Sequence, residues 1–245
     1  MHVPSLANIL LLIYLFVLLP LSSYRSSKRL KASQAARASN SAAPTEVPPI
    51  VFPAPAAIYR GTLFAMALTF YITWLAAQDI GFNLFAVEKF GARELFITIG
   101  FFCASFAVGL TSRMVRSQQE LRTMPALKLV PRTREDWVYF LVVVVVVGVV
   151  EESAYRGMAT MTLQWMFGSI WLAFVLSAFA FALAHWLQGW KSMIIIFVKG
   201  LLMQGMVHLT GTLVGAMVAH SLLDVITAYR TRTLVARLEN EARSA

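Results

Sequence analysis

Long apolar runs separated by short basic segments dominate this chain of 245 residues. Apolar residues make up 58% of the sequence and charged residues 13%, which is about half the charged share of an ordinary soluble domain. That much apolar surface cannot be buried inside one water-soluble fold of this size. The sequence therefore excludes a disordered chain, a collagen-like fibre and a disulfide-stapled secreted module. It predicts an all-α, polytopic transmembrane helix bundle.

Seven of the apolar runs are interpreted as membrane spans, because a helix pairs all its backbone groups within its own segment in lipid. The predicted spans cover residues 6–21, 58–78, 94–112, 137–150, 168–187, 192–207 and 211–228. The fourth run has its core at Leu141 to Val150 and leads directly into Glu151 and Glu152. A segment of mixed polarity, residues 158–167, follows it.

The basic residues predict the orientation of these spans. Lys and Arg cluster after the first run, after the third run and in the C-terminal tail, and alternating spans place these three segments on one side. The positive-inside rule puts that side, with the C-terminus, in the cytoplasm and the N-terminus outside. No Lys or Arg precedes the first run, which favours a retained span over a signal-peptide core. We therefore expect an integral, multi-pass protein of a bacterial-type cell membrane.

Composition divides the chain into four parts. Residues 1–57 hold the first span and a basic, Pro-rich linker, and residues 58–136 hold two spans and a basic cytoplasmic loop. Residues 137–228 hold the last four spans. Residues 229–245 form a basic tail that fits an amphipathic helix at the membrane surface and a solvated tail equally well. The net charge of +9 lies between the apolar runs without a recognition module, so nucleic acid is not an expected partner.

Ionisable side chains inside or beside the apolar runs are the most informative residues, since each is costly in lipid unless it is paired or hydrated. They are Glu151, Glu152, Arg156, His185, His220 and Asp224. Taken singly, each also fits a packed or interfacial residue. Glu152 and Arg156 are four residues apart, as are His220 and Asp224, so each pair can meet one helical turn apart. Glu151 points about 100° away from Glu152, so one carboxylate can pair with Arg156 while the other faces elsewhere.

Three separate apolar segments thus each supply a costly ionisable group, and a helix bundle can bring such groups into one hydrated cavity. One Glu with two His can take a proton from water and stabilise an oxyanion. The same set, Glu151, His185 and His220, can instead ligate a divalent metal such as zinc. The residues alone leave the choice between these two chemistries open.

The motifs around these residues resemble those of the CPBP family, also called Abi, which contains type II CAAX prenyl endopeptidases and bacteriocin-processing relatives. Residues 151–156 (EESAYR) match its EExxxR motif, residues 181–185 (FALAH) its FxxxH motif, and residues 220–224 (HSLLD) its HxxxN/D motif. The three motifs occur in the family's order. The resemblance covers about residues 137–228 and identifies them as a catalytic core.

The resemblance implies an intramembrane endopeptidase that acts on a peptide or a protein tail. It implies that Glu151 and His185 activate a water molecule, and that His220 and Asp224 form the oxyanion hole. Asp224 departs from the Asn of the prenyl-protein branch, and an ionised Asp cannot donate a hydrogen bond to an oxyanion. Either Asp224 is protonated, or it orients His220 while a different donor serves. This departure weakens the expectation of CAAX-processing specificity.

Two other functions stay open for the same residues. The motif side chains can hold helices together in a non-catalytic scaffold or an immunity-type binding protein. They can also relay protons in a proton-coupled transporter, although the sequence shows no inverted repeat. For the protease, a plain hairpin starting at Trp137 would place Glu151 and His185 near opposite membrane faces. The sequence therefore predicts a break in one helix, within Gly157–Gly168.

Overall fold

The computed structural model of the protein describes residues 4–40, 55–117, 120–121, 127 and 130–244. Residues 41–54, most of the predicted Pro-rich linker, lie outside these ranges. The described α-helices are α1 (Leu6–Ile13), α2 (Leu19–Asn40), α3 (Pro55–Gln78), α4 (Ala92–Met114), α5 (Arg134–Glu151), α6 (Thr160–Phe167), α7 (Ile170–Ala184), α8 (Trp190–Thr210) and α9 (Val214–Ser244). π-helical segments join α1 to α2 (Tyr14–Leu18) and α5 to α6 (Glu152–Ala159), and short 3₁₀ turns lie at Val87–Lys89 and Trp186–Gln188.

The described helices form the polytopic bundle that the sequence predicted, and the chain is an integral membrane protein. Five helical stretches are long and apolar enough to cross a bilayer: Leu6–Ala32, Ile58–Gln78, Ala92–Met114, Arg134–Phe167 and Trp190–Thr210. Bulky side chains on their outer faces are exposed, for example Phe64 and Phe96 at 78% and 74%. Two of the seven predicted spans fall short of this length or apolarity. Helix α7 is too short, with 15 residues, or about 22 Å. Helix α9 is not apolar enough, because His220 and Asp224 interrupt its apolar half.

The first span packs one face against the core of the bundle. Leu11 and Leu15 of this span are fully buried in the same apolar core as residues from α3, α7 and the second π-helical segment. Asn8 is also fully buried, and its side-chain oxygen accepts a hydrogen bond from the Thr162 hydroxyl of α6 at 2.9 Å. Such polar bridges contribute to helix association in lipid, where burial of apolar surface gives little driving force. The first span is thus part of the structural core.

The fourth span is longer than the sequence predicted. Helix α5, the π-helical segment and α6 form one stretch of 34 residues, Arg134–Phe167, so the prediction of a separate mixed segment at 158–167 is wrong. Thr160 and Thr162, which give that segment its polarity, are buried and hydrogen-bonded to side chains of α8 and α1. The chain reverses at Gly168, whose φ of 69° lies in the left-handed region that favours glycine. The break therefore falls on the last residue of the segment where it was expected.

The C-terminal tail continues α9 to Ser244 instead of forming a separate surface helix. The Arg113 guanidinium at the end of α4 donates a hydrogen bond to the carbonyl of Arg230. The Arg232 guanidinium lies 6.0 Å from the centre of the Trp137 ring, at the start of α5. These contacts attach the emerging part of α9 to two neighbouring helices. We call this end of the bundle, where α4 ends, α5 begins and α9 emerges, the basic end.

Candidate active site

The three sequence motifs meet around one cavity. Glu151 ends α5, His185 follows the last residue of α7, and His220 and Asp224 lie one turn apart on α9. All four side chains, together with Arg156, line a cavity of about 420 Å³. The cavity reaches the basic end, where further polar residues line it: Ser23, Gln188 and Thr227. The structure thus places five of the six predicted site residues at one cavity, and the sixth, Glu152, bonds to one of them.

The two adjacent glutamates have different surroundings. Glu152 is fully buried, and its Oε1 accepts a hydrogen bond from His220 Nδ1 at 2.6 Å. Arg156 Nη1 lies 3.2 Å from the same oxygen, in the pair that the four-residue spacing predicted. Glu151 faces the cavity instead, and its Oε2 has no hydrogen-bond partner among the described residues. One carboxylate is therefore bound within the helix packing, and the other is available to a molecule in the cavity.

The π-helical segment Glu152–Ala159 forms one wall of the site. Backbone hydrogen bonds in a π-helix run from residue i to i+5, so the turn is wider than in an α-helix and its carbonyls leave the regular pattern. The Tyr155 carbonyl accepts hydrogen bonds from the hydroxyls of Thr160, at 2.8 Å, and Ser177, at 2.7 Å. All eight residues of the segment are buried. These hydroxyls satisfy a carbonyl that would otherwise be costly to bury, which stabilises the wide turn carrying Glu152 and Arg156.

His220 is held between carboxylates on both ring nitrogens. Because a carboxylate only accepts hydrogen bonds, the contact with Glu152 places a proton on Nδ1. The other nitrogen, Nε2, is 3.7 Å from Glu151 Oε2 and 3.7 Å from Asp224 Oδ2. Gly148 makes this position of α9 possible, since a Cβ there would collide with the hydroxyl of Ser221. The close approach of α5 and α9 thus brings the third motif against the first.

The FxxxH motif contributes both of its named residues to the site. His185 Nδ1 donates a hydrogen bond to the Phe181 carbonyl at 2.8 Å, which fixes the proton on Nδ1 and leaves Nε2 as the acceptor in the neutral ring. The Phe181 ring lies 4.1 Å from the Arg156 guanidinium carbon and 5.0 Å from the Tyr155 ring. Stacking on an aromatic ring suits a guanidinium that is out of water. Phe181 thereby supports Arg156, which in turn supports Glu152.

Glu151 and His185 lie at comparable depth in the bundle, contrary to the plain hairpin that the sequence suggested. Each of them lies 17 residues from the reversal at Gly168, or about 25 Å along its helix. The two helices of the hairpin run in opposite directions from that point, so equal separations bring the two side chains side by side. The two residues do not lie near opposite membrane faces, because the chain reverses after residues 158–167 and not before them.

Sequence reasoning missed Lys199. Its side chain lines the same cavity as the motif residues, and it follows an uninterrupted apolar run, Ile194–Val198, in the middle of α8. The signal was present, because a lysine inside a membrane span is as costly as the acids that were singled out. Lys199 adds an ammonium group to a cavity that already holds two histidines, Glu151 and Asp224.

The described donor side chains do not form a metal site. Within residues 4–40, 55–117 and the later described ranges, no three His, Cys, Asp or Glu side chains are grouped so that they could hold an ion. The zinc alternative for Glu151, His185 and His220 therefore gains no support from the described arrangement. In both histidines Nδ1 is hydrogen-bonded to a protein acceptor. Nε2 is therefore the ring nitrogen that each histidine can offer to a bound molecule.

Fold and site together define a class, namely helical membrane proteins in which acidic and imidazole side chains surround an internal cavity. Residues 133–226, from the N-cap of α5 to the middle of α9, match the family model of the type II CAAX prenyl endopeptidases, Rce1-like. The match covers less than half of the chain, and members of the family are in general proteases. The resemblance that the three motifs indicated is thus confirmed. No curated protein and no solved structure gives a match.

Proposed function

We propose that the protein is an intramembrane endopeptidase that hydrolyses a peptide bond with a water molecule activated by Glu151 and His185. The observation that carries the proposal is the meeting of Glu151, His185, His220 and Asp224 at one cavity. A cavity of about 420 Å³ has room for a short extended piece of a peptide or protein tail together with water. The family of the domain supports a proteolytic function.

Glu151 acts as the general base in this proposal. Its side chain lines the cavity, and its Oε2 accepts no hydrogen bond among the described residues, so the carboxylate can accept a proton from water. His185 presents Nε2, because Nδ1 is occupied by the Phe181 carbonyl. Nε2 accepts the second hydrogen of the same water and orients its oxygen toward the substrate carbonyl carbon. The two side chains together position and activate the nucleophile.

Attack by this water breaks the carbonyl π bond and places negative charge on the substrate oxygen. His220 in its imidazolium form donates from Nε2 to that oxygen, while Glu152, which accepts from Nδ1 at 2.6 Å, orients the ring. Lys199 lines the same cavity and can donate a second hydrogen bond to the oxyanion. An ionised Asp224 cannot do so, because a carboxylate only accepts hydrogen bonds. The C–N bond then breaks, and the leaving amine takes the proton that Glu151 removed from water.

Matched variants test the proposal. Purified Glu151→Gln and His220→Ala should cleave a peptide panel about 100-fold or more slowly than wild type. Glu135→Gln serves as the control, because Glu135 is an exposed residue of the first turn of α5 and lies outside the cavity. It should cleave at the wild-type rate. Unchanged turnover in both site variants would overturn the proposal.

Two other results would also overturn it and would assign one of the rival functions. Folded wild type that cleaves no peptide, with variants that fail to fold, would assign a scaffold role to the motif residues. Proton flux in reconstituted vesicles that Glu152→Gln abolishes would assign a transporter.

We further propose that the basic end, and with it the cavity entrance, faces the cytoplasm of a bacterial-type cell. The described basic residues after α4 (Arg116, Arg132 and Arg134) and on the emerging part of α9 (Arg230 and Arg232) lie at this end, as the positive-inside rule requires. A reporter that folds only in the cytoplasm, fused after Ala245, should be active, and a periplasmic phosphatase reporter fused at the same place should be inactive. The reverse pair of results would contradict this orientation.

A further inference from the structure

A second, smaller cavity lies beside the candidate active site, between α4, α8 and α9 at the basic end. It has a volume of about 170 Å³. Its apolar lining comes from all three helices, for example Phe106, Ile195 and Leu234. Two half-buried guanidinium side chains, Arg113 and Arg230, line the same space. We call this space the arginine cleft.

The two arginines of the cleft are bound only to neutral groups. Arg113 donates to the backbone carbonyl of Arg230, and the Arg230 guanidinium lies 5.6 Å from the centre of the Phe106 ring. Neither has a carboxylate at ion-pair distance among the described residues. Ser105 adds a fully buried hydroxyl in the cleft that has no hydrogen-bond partner there. The cleft therefore offers unused donors and unbalanced positive charge.

The sequence that follows α4 adds further positive charge. Residues 113–134 contain six basic residues and a single acidic one, Glu120. Glu120 is engaged by Lys191 at 2.8 Å, and the same ammonium group donates to the Val115 carbonyl. Arg116, next to the cleft, donates to the Ser192 hydroxyl at 2.7 Å, which is again a neutral partner. A negatively charged ligand is thus the complement that this site lacks.

We propose that the arginine cleft binds the phosphate of an anionic phospholipid. Guanidinium groups match phosphate oxygens with two parallel hydrogen bonds, and basic pockets between membrane helices at the cytoplasmic side are suited to anionic headgroups. The apolar lining accommodates the adjoining acyl chain, and Ser105 can donate to an ester oxygen. Met114, exposed at 83% beside Arg113, extends the apolar surface toward surrounding lipid. This continuity with surrounding lipid favours a phospholipid over an acidic peptide as the ligand.

The cleft and the catalytic cavity share lining residues, but the lipid proposal does not depend on proteolysis. Gln188 and Lys199 line both spaces, whereas Arg113 and Arg230 line only the cleft. Variants of Arg230 therefore probe lipid binding without changing a group of the candidate active site. The backbone carbonyl of Arg230, which holds α4 to α9, is retained in any such variant.

The test compares two arginines that lie two residues apart on α9. Wild type, Arg230→Gln and Arg232→Gln are purified in neutral detergent, and binding of phosphatidylglycerol and of phosphatidylcholine with the same acyl chains is measured by native mass spectrometry. Arg232 is the matched control, because it is exposed and stacks on Trp137 outside the cleft. Circular dichroism and gel filtration establish that each variant is folded.

Wild type should prefer phosphatidylglycerol, and Arg230→Gln should weaken that binding about tenfold, as expected for a lost charge-assisted hydrogen bond. Arg232→Gln should weaken it less than about threefold. Equal binding of both lipids by wild type, or equal losses in the two variants, would overturn the proposal. Full competition by soluble glycerol phosphate would reassign the cleft to a free phosphate ligand. Displacement of the lipid by an acidic peptide, but not by a neutral one, would reassign it to a peptide.

Discussion

Glu151→Gln and Glu152→Gln remove the same charge from adjacent residues, yet we expect them to differ strongly in stability. Glu152 is fully buried and Arg156 is 4% exposed, with Nη1 3.2 Å from the carboxylate. Neutralising one partner of a buried ion pair costs about 3–5 kcal/mol, because the other charge remains buried without compensation. A glutamine at position 152 can still accept the hydrogen bond from His220, so the lower end, about 3 kcal/mol, is the expected loss.

Glu151 should tolerate the same substitution. Its nearest charged contact is the 3.7 Å approach of His220 Nε2, and its Oε2 has no hydrogen-bond partner in the described part of the chain. Removing this charge strands no buried cation, so Glu151→Gln should change the free energy of unfolding by less than about 1 kcal/mol. Cleavage should nevertheless be lost, because the base is gone. Glu152→Gln thus lowers stability, whereas Glu151→Gln removes activity.

Denaturant unfolding in detergent micelles, followed by circular dichroism, measures this difference. The double variant Glu152→Gln with Arg156→Met provides a further check, because it removes both charges of the buried pair and keeps an acceptor for His220. It should be more stable than either Glu152→Gln or Arg156→Met alone. Equal stability losses in Glu151→Gln and Glu152→Gln would refute the division of roles between the two glutamates.

Three further substitutions probe contacts between helices and one exposed ion pair. Gly148→Val should cost about 1–3 kcal/mol of stability by overpacking. It should also slow cleavage, because the added side chain pushes α9 and His220 away from α5. Unfolding and turnover assays on one sample measure both effects. Thr162→Val should cost about 1–3 kcal/mol, since Asn8 keeps a buried oxygen without its donor, and unfolding of Thr162→Val with Asn8→Leu should show part of that loss recovered. The hydrogen bond from Lys191 lowers the pKa of Glu120, so this contact stabilises the fold above the ordinary pKa of a glutamate and is lost as the pH falls through the lowered value. Wild type should therefore be more stable than Glu120→Gln at neutral pH, and the difference in melting temperature should vanish in acid.

The site was predictable from the sequence because its ionisable residues lie in otherwise apolar segments. Glu151, His185 and His220 each interrupt an apolar segment, and such residues have few stable positions in a bundle other than a shared cavity. The four-residue spacing of Glu152 and Arg156 also predicted their ion pair. Lys199 obeys the same rule, and its omission was an error of reasoning and not a lack of signal.

The length of the fourth span could not be derived from hydropathy. Thr160 and Thr162 make residues 158–167 appear too polar for a span, but their partners, Gln204 and Asn8, lie 44 and 154 residues away in the chain. A pattern within one segment contains no information about such partners. The π-helical turn has the same origin, since the hydroxyl of Ser177, 22 residues away, satisfies the carbonyl that the turn releases.

Incorporation of oxygen from solvent tests the central claim most directly. A cleavable peptide is incubated in H₂¹⁸O with wild type and with Glu151→Gln, and the new carboxyl terminus is analysed by mass spectrometry. The account predicts one ¹⁸O atom in the product carboxylate of wild type, and about 100-fold less product, or lower still, from the folded Glu151→Gln variant in the same time. Cleavage by Glu151→Gln at the wild-type rate, with the same label, would contradict the assignment of Glu151 as the base that activates water.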